Sequence, residues 1–210
     1  MRLLKKPPPM PSPPSPEADP ERLRDLAWMR GVQNGDAEAL RSLIHEYQHR
    51  VAAAIARMAG SSCDPEEIAH EVFVRVWRFA HRYQPSAKLS SWLFTIARNL
   101  VLNDIRYRQR HPNVSRDIVA EDGHAPDDLT PDTAARQPDA VLLESELQQA
   151  LDDALQRLPE NQRTALILRR YEGLSYDEIA AVLETSVPAV KSLLFRARSA
   201  LREFLKDYLE

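Results

Sequence analysis

The chain has 210 residues, 43% of them hydrophobic, which is enough for one or two compact domains with cores of their own. Its single cysteine, Cys63, excludes an internal disulfide framework and a multi-cysteine zinc site, and no run approaches the roughly 18 apolar residues of a membrane-spanning helix. The net charge of −3 would disfavour nucleic acid only if it were evenly spread, and it is not: Ser186 to Lys206 carries five bases against Glu203 alone, whereas Asp117 to Asp139 carries seven acids against Arg136.

Residues 1–20 hold eight of the sixteen prolines, a composition that predicts an extended tail with no core. The opening MRLLKKPPPM lacks the apolar segment of a signal peptide, so a cytoplasmic protein is expected. From Glu21 to Arg110 the apolar spacing is helical almost throughout. A first helix, ERLRDLAWMRGV, is expected to stop near Gly31 to Gly35. Asp36 then caps a long helix to about Ala59, whose apolar face is Leu40, Leu43, Ile44, Tyr47, Val51, Ala54, Ile55 and Met58. Asp64 and Pro65 form an N-cap and N1 pair, with Glu67 at the capping-box position, and start a third helix through about Arg82. Pro85 keeps YQPSAKL out of helix, and a fourth helix is expected from Ser90 or Ser91 to about Gln109.

Residues 111–139, with four prolines and the acidic cluster, read as a linker. A second helical unit follows: Ala140 to Leu158, stopped by Pro159, then Glu160 to Tyr171, stopped by Gly173. Ser175 with Glu178 fits a capping box, so a short helix should run from Tyr176 to about Leu183. Ser186 caps the next, with Pro188 in its first turn, to about Leu205. Two helices on so short a link predict a helix-turn-helix, whose second helix enters the major groove of DNA. At about 100° per residue, Val190, Leu193, Leu194, Ala197, Leu201 and Leu205 face the support, leaving Lys191, Ser192, Phe195, Arg196 and Arg198 outward. Glu184 stands at the turn where glycine is usual, so a left-handed conformation there would cost roughly 1 kcal/mol. The expected fold is all-α, two small helical domains on a flexible acidic linker, with no βαβ pattern.

His45, Glu46 and His49 spell H-E-x-x-H, the zinc-protease signature. The helical wheel turns both histidines about 140° to 180° from the apolar stripe, so a solvated face is expected, with no metal, no cofactor and no catalysis. The segment from Tyr83 to Arg110 suggests a nucleic-acid surface instead. Aromatic Tyr83 and Trp92 can stack on unpaired bases, while Lys88, Arg98, Arg106, Arg108 and Arg110 hold phosphates.

DPEEIAHEVFVRVWRF, SSWLFTIARNLVLNDIR and LPENQRTALILRRYEGLSYDEIAAVLETSVPAVKSLLFRARSALREFL closely resemble the extracytoplasmic-function (ECF) class of sigma-70 family RNA polymerase sigma factors, over about residues 21–110 and 140–206. The resemblance implies a non-enzymatic promoter-recognition subunit with region 2 at 21–110 and region 4 at 140–210, partnered by core RNA polymerase through its β′ clamp helices and β flap, and by promoter DNA. It implies polymerase contacts by Asp64, Glu67, His70, Glu71, Phe73 and Trp77. It also implies −10 reading by Tyr83, Lys88, Trp92, Arg98, Asn99, Arg106, Arg108 and Arg110, and −35 reading by Ser186, Lys191, Ser192, Phe195, Arg196 and Arg198. Family members are often held by an anti-sigma protein, which is thereby a candidate partner. His70, Asn103, Leu193 and Glu184 depart from the common pattern. A stand-alone helix-turn-helix regulator is the alternative; it gives no role to the Trp92 to Arg110 surface.

Overall fold

A computed structural model describes residues 20–85, 88–111 and 138–206, with α5 side chains from 146 onward. The proline-rich start and the acidic stretch expected to be a linker lie outside the described residues. Every long element that is described is a helix: α1 (Pro20–Gln33), α2 (Ala37–Ala59), α3 (Pro65–Phe79), α4 (Leu89–Arg110), α5 (Pro138–Arg157), α6 (Glu160–Arg170), α7 (Tyr176–Val182) and α8 (Val187–Phe204).

The helix starts follow the caps read from sequence. Asp36 accepts from the amides of Glu38 and Ala39 and opens α2; Asp64 accepts from Glu66 and Glu67 and opens α3. In α7 the capping box is complete, the Ser175 amide donating to Glu178 at 2.6 Å and the Glu178 amide to the Ser175 hydroxyl at 3.2 Å. The start of α4 differs from expectation. It begins at Leu89, with Lys88 at the N-cap and no side-chain cap, because Leu89 and Ser91 are both buried and the apolar register, rather than a serine hydroxyl, sets the start. Phe79 ends α3, and a 3-10 turn over Ala80–Arg82 takes the rest of the stretch expected to be helical.

Leu43, Tyr47, Val51, Ala54, Ile55 and Met58 of α2 form the centre of the first domain, against Val72 and Val76 of α3 and Leu93, Phe94 and Ala97 of α4. Two members of the expected α2 face, Leu40 and Ile44, are only half-buried and border a groove with α3. A polar pair sits inside this core: the Tyr47 hydroxyl donates to Asp25 Oδ2 at 2.6 Å, with Asp25 6% exposed. Burial raises the Asp25 carboxyl above its ordinary value, and the Tyr47 bond and the Arg24 guanidinium, 3.6 Å away, offset this only in part.

In the second domain Leu155, Ala165, Ile167, Leu168, Ile179, Val190, Leu194 and Ala197 form the core. Its helices also pack on the first domain, α5 and α6 against α2 and α7 against α4, and one apolar cluster runs through both. Sequence reasoning had expected two separate cores on a tether. The junction is polar as well as apolar. Arg50 Nε lies 3.2 Å from Glu172 Oε2, the Arg57 guanidinium sits 4.3 Å above the Tyr171 ring, and Gln156 Nε2 donates to the Arg57 carbonyl at 3.0 Å. Gly60, at φ 59°, ends α2 in a conformation that favours glycine, and a Cβ there would stand 2.7 Å from the end of the Gln156 side chain, which would have to shift.

Candidate nucleic-acid interface

The helix-turn-helix is built as its sequence predicts. Glu184 sits at φ 51°, the left-handed residue of a Schellman ending: its amide donates to Ala181 O at 3.2 Å and the next amide, of Thr185, to Ala180 O at 2.9 Å. Ser186 caps α8 by accepting from the Ala189 amide. Val190, Leu194 and Ala197 are buried, and Lys191, Ser192, Phe195, Arg196 and Arg198 are exposed together. Phe195 is 72% exposed, a large apolar ring held in solvent between bases of the same face. No hydrophobic core explains that placement; a thymine methyl or a sugar edge in a groove would.

On the first domain the α4 surface is less open than the sequence suggested. Arg106 and Arg110 are exposed, Asn99 and Trp92 half-buried. Arg108 pairs with Asp104 at 2.8 Å, one turn earlier on the same helix. Tyr83 is 5% exposed, and its ring meets Trp92 at 5.4 Å between centroids. Tyr83 is therefore corrected from a stacking platform to a buried residue packed on Trp92. Lys88 Nζ lies 3.2 Å from Glu178 Oε1, and Arg98 donates to Asn161 Oδ1 at 3.1 Å with Glu160 at 3.7 Å. Both cations thus have partners in the second domain, Arg98 with a side chain only 13% exposed and Lys88 still 53% exposed.

The third surface is the outer face of α3. Glu67 and His70 are exposed, Trp77 is 43% exposed, and Glu71 pairs with Arg75 at 2.8 Å. Of these, His70 and Trp77 border a groove of about 460 Å³ between α2 and α3, with Leu40, Ile44, Ala69, Phe73 and Val74. Phe73, at 5% exposed, is a wall of that groove and a core residue at once, whereas the carboxylate of Asp64 is engaged in capping its own helix. His45 and His49 are exposed on the far side of α2, and Glu46 between them is bound by Arg24 at 2.9 Å.

Residues 43–111 match the family described as Sigma-70 region 2, and residues 148–201 match Sigma-70, region 4. The RNA polymerase sigma-H factor of Pseudomonas aeruginosa is 33% identical over 192 residues, spanning 89% of this chain and 96% of that one. The chain belongs to the sigma-70 family. Within it the ECF class is marked by the ECF RNA polymerase sigma-E factor of Haemophilus influenzae, 34% identical over 90% of this chain and 99% of that relative. Two solved structures share the fold. One is CnrH in complex with the cytosolic domain of CnrY (TM-score 0.62, 21% identity, 90% of this chain and 99% of that one); the other is the sigma factor RpoE with the anti-sigma factor NepR from Bartonella quintana (TM-score 0.60, 24% identity, 79% and 96%).

This ECF sigma factor is accordingly a transcription initiation factor that directs RNA polymerase to promoters, not an enzyme. Among its described residues no helix is long and apolar enough to cross a membrane. What sequence reasoning missed lies between the domains: Glu160, Asn161, Glu172 and Glu178 of the sigma factor carried no signal beyond helix starts and turns, yet all four bind cations of the first domain.

Proposed function

We propose that this sigma factor works in the cytoplasm by a two-site grip on promoter DNA, with α8 in the major groove of the −35 element and α4 on the unpaired non-template strand of the −10 element, while the α2–α3 groove seats the β′ clamp helices of core polymerase and the second domain meets the β flap. The observation that carries the reading is the outward face of α8. Lys191 and Arg196 supply donors for guanine edges, Phe195 an apolar contact, and Ser186, Ser192 and Arg198 polar or phosphate contacts. On α4, Trp92, Asn99, Arg106 and Arg110 are the accessible members, joined by Lys88 and Arg98 once their carboxylates withdraw. Strand opening then needs no chemistry: preferential binding to unpaired bases shifts the duplex equilibrium.

Support for the polymerase site is the apolar groove with the exposed ring of Trp77 at its edge and the exposed carboxylate of Glu67 on the flank of the same helix, a combination suited to a helical partner with basic flanks. CnrH and RpoE, which share the fold, were each solved in a complex, the latter with an anti-sigma factor, and an anti-sigma protein is proposed as the physiological restraint here too.

Reconstituted transcription tests the reading. Core polymerase, this protein and genomic fragments from its source should give discrete start sites that core alone does not; failure to co-purify with core and to give specific starts overturns it.

A further inference from the structure

At its last turn α4 carries an aromatic pair that the core does not use. Tyr107 is 52% exposed and stands outside the apolar cluster that runs through both domains. Its ring stacks on that of His111, with centroids 4.5 Å apart and planes inclined by 30°, and His111 Nδ1 lies 3.0 Å from the Tyr107 carbonyl oxygen. The His111 amide also donates to the Tyr107 and Arg108 carbonyls, so the residue that ends the helix holds the tyrosine ring in place. Two rings are thereby ordered in solvent beside the exposed Arg106 and Arg110. That arrangement suits contact with a nucleic acid better than packing within the chain.

Helix geometry says where on the DNA such a contact would fall. At about 100° per residue, Asn99, Asn103, Arg106 and Arg110 lie within about 40° of Trp92, so one stripe of α4 runs from that ring to the helix end. Tyr107 is about 60° round from the stripe and His111 about 100°, on its flank. The rise from position 92 to position 107, at about 1.5 Å per residue, is roughly 22 Å, comparable with about six base steps of about 3.4 Å. Chain order gives the direction. From His111 the sequence runs on to the second domain, whose α8 is proposed for the −35 element, so the Tyr107 end of α4 points upstream. An unpaired −10 strand followed along the stripe from Trp92 reaches Arg110 where the upstream DNA is still duplex.

We propose that Tyr107, positioned by His111, is a specificity-determining residue that packs on the first base pair left closed at the upstream edge of the −10 element. The proposal rests on the use of α4 as the −10 surface. Arg106 and Arg110 hold phosphates at the junction. The phenol ring lies against the edge of the closed pair, where its face meets a sugar or a thymine methyl and its hydroxyl meets a base-edge donor or acceptor.

The test uses reconstituted holoenzyme and a promoter mapped by the transcription assay above, presented in two forms: a fork with duplex upstream of an unpaired −10 segment, and the unpaired −10 strand alone. Tyr107→Ala should bind the fork about tenfold more weakly, the usual scale of one lost aromatic contact to a base, and bind the strand alone as wild type does. Randomising the first closed pair should reveal a sequence preference in wild type that Tyr107→Ala lacks. His111→Ala should show a smaller loss of the same kind, while His111→Phe, which keeps a stacking ring, should match wild type. The Tm of each variant should be unchanged, because the tyrosine ring is half in solvent. Equal loss on fork and strand places Tyr107 on the unpaired strand and overturns the duplex contact; no loss on either overturns any contact. A lower Tm without a fork-specific loss shows the pair to serve the helix end alone. Absence of promoter-specific transcription by the wild-type holoenzyme is the separate failure of the two-site reading.

Discussion

Lys88 Nζ stands 3.2 Å from Glu178 Oε1, and Glu178 is also the carboxylate that closes the capping box on Ser175. One side chain therefore starts the first helix of the helix-turn-helix and pairs with a cation of the other domain. Local helix formation and domain closure are coupled through it.

Replacing it tests both roles. Glu178→Ala should cost about 1 kcal/mol of unfolding free energy at neutral pH, the usual worth of a capping interaction, measured by urea denaturation. Burial opposes the Glu178 charge, but the Ser175 amide and hydroxyl and Lys88 outweigh it and hold the carboxyl below its ordinary value of 4.5. Its stabilisation is present above that value and is lost as pH falls through the lower folded one, so the variant should show a shallower loss of stability in acid than the wild type.

Asp25 predicts the opposite sign. Burial first of all raises its carboxyl above the ordinary 3.8 despite Tyr47 and Arg24, so between 3.8 and the higher folded value the native state holds the extra proton. Stability of the wild type relative to Asp25→Asn should therefore rise as pH falls through that window, followed by urea midpoints at several pH values. Tyr47→Phe, which strips the buried carboxylate of its 2.6 Å donor, should destabilise by about 1–3 kcal/mol at pH 7.

At the turn, Glu184→Gly should stabilise. The residue is held at φ 51° in a position that glycine fills without steric cost, and the relief, about 1 kcal/mol before glycine's greater unfolded-state entropy, should appear as a higher Tm with unchanged promoter choice.

For DNA reading, Lys191→Ala and Arg196→Ala should each lose about 1–3 kcal/mol of discrimination at single −35 positions in footprinting or competition assays, while binding to core polymerase persists. Arg198→Ala, if it contacts phosphate, should weaken all sequences alike and lower the salt dependence of binding by about one ion. Loss of polymerase binding in the first two would place the DNA face elsewhere.

At the groove, Trp77→Ala should weaken core polymerase binding at least about tenfold with little change in Tm, because the ring is 43% exposed and carries little of the core. Phe73→Ala should lose both, at about 3–5 kcal/mol of stability, since that side chain is 5% exposed.

Much of this protein is local and was therefore legible in its residues. Asp36, Asp64, Ser175 and Ser186 each act on amides two or three positions away, so the helix starts needed nothing beyond the neighbouring sequence. The outward set of Lys191, Ser192, Phe195, Arg196 and Arg198 follows from helical period alone, and so does the exposure of His45 and His49. Family membership was carried by motifs of the same local kind. Tertiary structure decided the rest, because each remaining feature joins residues far apart in the chain. Tyr83 looks like a free aromatic until Trp92 covers it; Asp25 and Tyr47, 22 positions apart, form a buried pair with no sequence mark. Above all, Glu178, Glu160, Asn161 and Glu172, which meet Lys88, Arg98 and Arg50, come from the other domain. A surface arginine and a solvated glutamate read alike in a sequence whether they meet or not, since their charges satisfy water equally well until packing removes it.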